Sequence, residues 1–262
     1  MNNFFHMHGS RCIKFSSFVA VLAAWLISGC GRSQKSSSSS SFGGAEQAKP
    51  LLIALSGFST CDDSTARPIV PGPAGSKVYM RALVAASQLE TVFGVKPAVV
   101  TTCYTGDREL MESASASDWI VTKPTEEEFF NDVRQQMAEA THVYIIGHSY
   151  GGWLALRLVD SAVYGDASSV KALFSVDPIS KIRCSFSTLS GCFSAPEDIE
   201  VRSRQHIKNA TDVWVNPWQN QTFYLHSSAI DEADRNPNIP LSHQSMPESD
   251  VVWSDFKDQF KR

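Results

Sequence analysis

The stretch Gly147-His148-Ser149-Tyr150-Gly151 constrains this chain more than any other. An apolar run, Val143-Tyr144-Ile145-Ile146, precedes it, and Gly152-Trp153-Leu154-Ala155-Leu156-Arg157-Leu158-Val159 follows. The pattern reads as a strand, a sharp turn and a helix. Glycine on both sides of the serine lets strand and helix run close together and lets Ser149 take an unusual backbone geometry. The hydroxyl then stands at the carboxyl end of a strand and the start of a helix, where N–H groups favour developing negative charge. G-x-S-x-G alone is a common pattern. The strand before it and the helix after it are what mark Ser149 as a candidate nucleophile.

The rest of the chain alternates in the same way. Leu51-Leu52-Ile53-Ala54-Leu55 is continuously apolar, as a strand buried on both faces would be. Residues 76–93 read as a helix closed by Gly94, and residues 96–102 as a strand. Residues 103–124 look like a polar loop. Thr125 and Glu128 form a capping-box pattern opening a helix to about Ala140, with Phe129, Phe130, Val133 and Met137 on one face. Val170–Val176 is a further buried strand, ending at Asp177-Pro178. A loop over 179–196, a helix near 196–209, short strands at 212–215 and 222–226 and a terminal helix over 249–260 complete the reading. Such alternation predicts a mostly parallel α/β sheet of about six strands flanked by helices. Ligands of such sheets bind at the carboxyl ends of the strands, where Ser149 and Asp177 both fall.

The N-terminus has its own character. Arg11 and Lys14 precede an apolar run over 15–27 that is shorter than the roughly 20 residues a bilayer span needs. It ends in Ile27-Ser28-Gly29-Cys30, a secretory signal pattern. That ending resembles the bacterial lipobox. The resemblance implies cleavage before Cys30, lipidation of Cys30 and anchoring in the cell envelope. Gly31 is not the aspartate of inner-membrane retention, so the outer membrane is the expected destination. A serine tract at Ser36–Ser41 marks residues 30–49 as a flexible tether. The expected division is a signal over 1–29, a tether over 30–49 and a catalytic domain over 50–262. Four cysteines remain in that domain, an even number for an exported chain. Three pairings are possible. Cys184 and Cys192 bracket a short loop, and Cys61 and Cys103 follow strands expected to be neighbours, so Cys61–Cys103 and Cys184–Cys192 are the expected bridges. Net charge is −4, without a basic stripe, which disfavours nucleic acid as a partner. No Cys/His spacing suggests zinc or another metal.

A serine hydroxyl needs a histidine to take its proton, and the histidine needs an orienting carboxylate. The order Ser149, Asp177, His243 supplies these. Asp231 and Asp234 compete for the acid, and His206 and His226 for the base. His148 reads as a packed structural residue and His142 as a surface one. Taken together, Gly147–Gly152, Val176-Asp177-Pro178 and His243-Gln244-Ser245-Met246-Pro247 resemble the elbow, acid and late histidine loop of the α/β-hydrolase superfamily. The resemblance runs from about Leu51 to the C-terminus. The chain departs from the full pattern because the first two strands of that fold are missing. The superfamily's more usual acid position reads Trp214-Val215-Asn216-Pro217 and offers no carboxylate. The resemblance implies an oxyanion hole from the backbone N–H of Tyr150 and of Phe58, in the loop Ser56-Gly57-Phe58-Ser59. It also implies a cofactor-free serine esterase or lipase working through an acyl-enzyme, as a monomer on a small-molecule or lipid ester. The competing reading is a catalytically silent surface lipoprotein that keeps the fold for binding.

Overall fold

The computed structural model describes residues 48–57, 75–104, 110–113, 125–162, 170–180, 199–222, 225 and 227–261. They belong to one compact unit, Glu46–Arg262. The signal, the tether up to residue 47 with its Cys30, and Phe58, Cys61, Cys184, Cys192 and His226 lie outside the described residues.

Six strands form one sheet: β1 (Pro50–Leu55), β2 (Ala98–Tyr104), β3 (Leu110–Ser113), β4 (His142–His148), β5 (Val170–Val176) and β6 (Trp214–Val215). Their order is β3-β2-β1-β4-β5-β6. All neighbours run parallel except β3, which pairs antiparallel to β2 at the edge. β1 lies between β2 and β4 and every one of its residues is buried. Alternate residues of a strand point to opposite faces. One face therefore gathers Leu51, Ile53, Leu55, Val143 and Ile145, and the other Leu52, Ala54, Tyr144 and Ile146. The first face is covered by α2 (Glu126–Glu139) and α3 (Tyr150–Ala162). The second is covered by α1 (Gly75–Phe93) and α5 (Asp250–Asp258). A fifth helix, α4 (Val201–Ala210), adds Ile207 to the first face. Among the described residues no helix is long and apolar enough to cross a membrane.

Local signals account for most boundaries. Thr125 and Glu128 close the capping box at the start of α2, and Phe129, Phe130, Val133 and Met137 are its buried residues. Gly94, with φ 69, ends α1 in a left-handed conformation. Two expectations need correction. The segment read as a polar loop over 103–124 contains the end of β2 and the whole of β3. Four residues, Leu-Met-Glu-Ser, are too few to carry a period, and pairing with β2 makes them a strand. The expected strand over 222–226 is absent among its described residues, where Thr222 sits in a bend and Leu225 in an isolated bridge.

The second face is dominated by aromatics. Phe256 is fully buried and meets Phe174, Trp253 and Phe260 edge-on, at centroid distances of 5.1, 5.9 and 5.3 Å. Phe256→Ala removes this hub. The expected cost is about 3–5 kcal/mol of folding stability, read from urea unfolding.

Candidate active site

The carboxyl ends of β1, β4, β5 and β6 lie along one edge, and each delivers a residue to the same place. At the end of β4, the backbone of Ser149 has φ 58, a left-handed conformation that a non-glycine residue adopts at a cost of order 1–3 kcal/mol. Neighbouring contacts hold it there. The Ser149 N–H donates to Val176 O at 2.9 Å, and Ser149 O accepts from Trp153 N at 3.1 Å and from Ile179 N at 3.0 Å. The flanking glycines are sterically required. A Cβ on Gly147 would lie 2.2 Å from Gly151 O, and one on Gly151 would lie 2.2 Å from Leu55 O. Asp177, one residue beyond β5, is also left-handed, with φ 43.

Three side chains, from just beyond β4, just beyond β5 and a late 3-10 turn, meet in one row. His243 Nε2 is 2.8 Å from Ser149 Oγ, and His243 Nδ1 is 2.7 Å from Asp177 Oδ2. A carboxylate can only accept, so Nδ1 carries the proton and Nε2 offers its lone pair to the serine hydroxyl. All three residues are buried. Burial pushes the Asp177 carboxyl upward. Hydrogen bonds and charge from His243, with bonds from Gln219 and Ser227, outweigh it and hold the group below its usual value. Its other oxygen, Oδ1, accepts from Ser227 N at 2.9 Å and from Gln219 N at 3.4 Å.

His243 is the first residue of a 3-10 turn, His243–Glu248, and its backbone is held at both ends. Its N–H donates to Thr222 Oγ1 at 3.0 Å, and its carbonyl accepts from His148 Nε2 at 2.9 Å. His148 is therefore a neutral donor. Burial first, then the neighbouring His243, push its pKa down to about 3. A histidine depressed from 6.5 in the folded state is protonated preferentially in the unfolded chain as pH falls. The depressed Asp177 acts in the same direction. Stability is thus expected to fall as pH drops from about 6.5 towards 3, with each unit of difference worth about 1.4 kcal/mol. Thermal unfolding across that window checks it, and His148→Gln is expected to flatten the slope.

The other candidates sit elsewhere. Asp234 accepts from Lys208 Nζ and from the Trp214 N–H, which fixes β6. Asp231 is exposed. His206 stands 3.7 Å from Asp160, between α4 and α3. His142 is half-buried, with Nδ1 2.9 Å from Thr141 Oγ1, rather than a plain surface residue. Trp214 is core, its Nε1 donating to Ser175 Oγ at 3.0 Å. Tyr150 opens α3 directly after the serine, so its backbone N–H belongs to the N-terminal end of that helix. Cys103 is buried at the end of β2 and disulfide-bonded. It is the only cysteine among the described residues, so neither expected pairing has both partners there. No group of three or more His, Cys, Asp or Glu side chains among the described residues could hold a metal.

Several residues of the site carried no sequence signal. Gln219 and the Ser227 N–H follow no motif, and the Asn220-Gln221-Thr222 pattern says nothing of catalysis. Gly57 had one that reads equally well as an ordinary turn. A Cβ at Gly57 would lie 2.8 Å from Ser149 Cβ and 3.1 Å from Ser149 Oγ, so bare backbone approaches the serine. Gly57→Ala must push that side chain aside. A misplacement of about 1 Å costs on the order of 100-fold in rate, and a comparable fall in kcat, with little change in melting temperature, is the expected outcome.

No family model matches this chain, and no curated protein matches it by sequence. Solved structures similar to it include Est1E from Butyrivibrio proteoclasticus with ferulic acid bound (14% identity, 83% of this chain and 88% of that one, TM-score 0.41). Others are ClbQ from the colibactin NRPS/PKS pathway (14%, 82% and 98%, 0.42) and the thioesterase domain from the curacin biosynthetic pathway (9%, 82% and 91%, 0.40). Values of this size leave the chemistry to be argued from the chain's own residues.

Proposed function

We propose that this protein is a serine hydrolase that cleaves carboxylic esters through an acyl-enzyme on Ser149. The observation that carries the reading is the continuous line Ser149 Oγ–His243–Asp177, at 2.8 and 2.7 Å, in which the carboxylate requires the proton on Nδ1. Ser149 Oγ attacks the carbonyl carbon as its proton passes to His243 Nε2. The resulting imidazolium is held by Asp177, which stays ionised. The proton then goes to the departing alkoxide, and the acyl group remains on Ser149. Water repeats the sequence in reverse and releases the acid. The negative oxygen of each tetrahedral intermediate is assigned to the N–H of Tyr150 and of Phe58, and the approach of Gly57 to the serine supports a donor from that loop.

The anchoring reading belongs to the same proposal. Cys30 is lipidated, residues 30–49 tether the enzyme to the bacterial outer membrane, and residues 50–262 form the catalytic domain. Cys61 pairs with Cys103, supported by the disulfide-bonded state of Cys103, and Cys184 pairs with Cys192.

A fluorophosphonate label tests the central claim. Labelling of wild type at Ser149, lost in Ser149→Ala, is the expected result. Well-folded wild type that takes no label and turns over no ester defeats the reading in favour of a binding protein. Rates on p-nitrophenyl esters of graded chain length then decide between short-chain esterase and lipase.

A further inference from the structure

We propose that Gln219 is the positioning residue of this site, its amide tying the acid to the base and so setting the geometry of the reacting row. The kinetic part of this proposal rests on the hydrolase reading above. Gln219 is fully buried and follows the end of β6, beside the strand end that carries Asp177. Its Nε2 donates to Asp177 Oδ2 at 2.8 Å and to Leu225 O at 2.6 Å. Its Oε1 accepts from Gln221 N at 2.7 Å and from Thr222 N at 3.0 Å. Both N–H bonds and both lone pairs of the amide are therefore used. The orientation is unambiguous, because two carbonyl-type acceptors face one end and two backbone donors the other.

These bonds close a ring. Asp177 Oδ2 accepts from Gln219, whose Oε1 holds the Thr222 N–H. Thr222 Oγ1 in turn accepts from the His243 N–H, and His243 Nδ1 returns to Asp177 Oδ2. Acid and base are 66 residues apart in sequence, on separate elements, and this amide spans the gap between them. A glutamine needed only to shape the 219–222 turn would use its Oε1 alone. The second half of its amide is shared between Leu225 O and the carboxylate. An uncharged group suits the position, since it stabilises the Asp177 anion without adding a charge that would compete with His243.

The test compares wild type with Gln219→Leu and Gln219→Glu. The first readout is the low-field proton resonance of the His243 Nδ1–H on Asp177. Among the described residues, the titratable groups facing that imidazole are Asp177, beyond β5, and His148, at the end of β4. The His148 ring lies 4.7 Å away, centroid to centroid. Gln219→Leu is expected to broaden or abolish the resonance and to lower kcat on p-nitrophenyl butyrate roughly 100-fold at unchanged KM. Gln219→Glu keeps the shape but sets a second carboxylate beside Asp177. With acceptor now facing acceptor at Asp177 Oδ2, the resonance is expected to shift and kcat to fall. An unchanged resonance, with kcat within about threefold in both variants, overturns the proposal. So does a loss of rate fully explained by fewer labelled active sites. If Gln219→Leu does not fold, the near-isosteric Gln219→Glu carries the test. Wild type without esterase activity sinks the hydrolase reading alone, because the resonance comparison still decides the role of Gln219.

Discussion

Ser149→Ala is expected to leave a folded protein whose kcat on p-nitrophenyl butyrate is lower by roughly a million-fold. The size follows from what is removed. In the proposed mechanism Ser149 forms the bond to substrate, and without it His243 has no hydroxyl to deprotonate at 2.8 Å. What remains is binding and oxyanion stabilisation, which serve an attacking water poorly. Alanine also suits the tight turn no worse than serine does, since the Cβ stays and only Oγ is lost. The melting temperature should therefore move by little. A residual rate within tenfold of wild type means that another nucleophile operates and ends the mechanism proposed above.

Asp177→Asn is expected to lower kcat by about 10⁴-fold with the fold intact. Ser227 N and Gln219 N both aim at Oδ1, so the amide oxygen introduced there must take that place. Its NH₂ then faces His243 Nδ1 and Gln219 Nε2. Against Nδ1 it forces the proton onto Nε2, where the imidazole can no longer accept from Ser149. Against Gln219 it sets donor beside donor. The competing Asp234 is not ready to substitute, since it is engaged by Lys208 and the Trp214 N–H. Steady-state kinetics with active-site titration separate this loss from misfolding. Retention of kcat above about a tenth of wild type reassigns the acid.

The two variants rest on different parts of the chain's legibility. Ser149 could be read because its constraint is local. A hydroxyl at a strand-to-helix turn needs glycine at either side, and close approach to Gly151 O and Leu55 O permits nothing larger. The periodic helices could be read for the same reason, since Phe129, Phe130, Val133 and Met137 recur at helical spacing and the capping box marks where they begin. Asp177 and His243 are chosen in the sequence on weaker grounds, their order along the chain and the resemblance of Val176-Asp177-Pro178 and His243–Pro247, against the competitors Asp231, Asp234, His206 and His226.

Sequence by itself determined the alternation of buried strands with amphipathic helices, and with it the α/β sheet and the edge where Ser149 stands. Those features are written in residues a few positions apart, where backbone period and side-chain polarity act directly. Only the tertiary structure decided which carboxylate meets His243, that β3 forms at all, and that Gln219, Thr222 and His148 hold the row in place. The bonds of Thr222 to His243, Gln219 to Asp177, His243 to Asp177 and His148 to His243 join residues 21, 42, 66 and 95 apart in the chain, and β3 exists only through its pairing with β2. A polar residue with no periodicity of its own carries no sign of the partner that folding will bring to it.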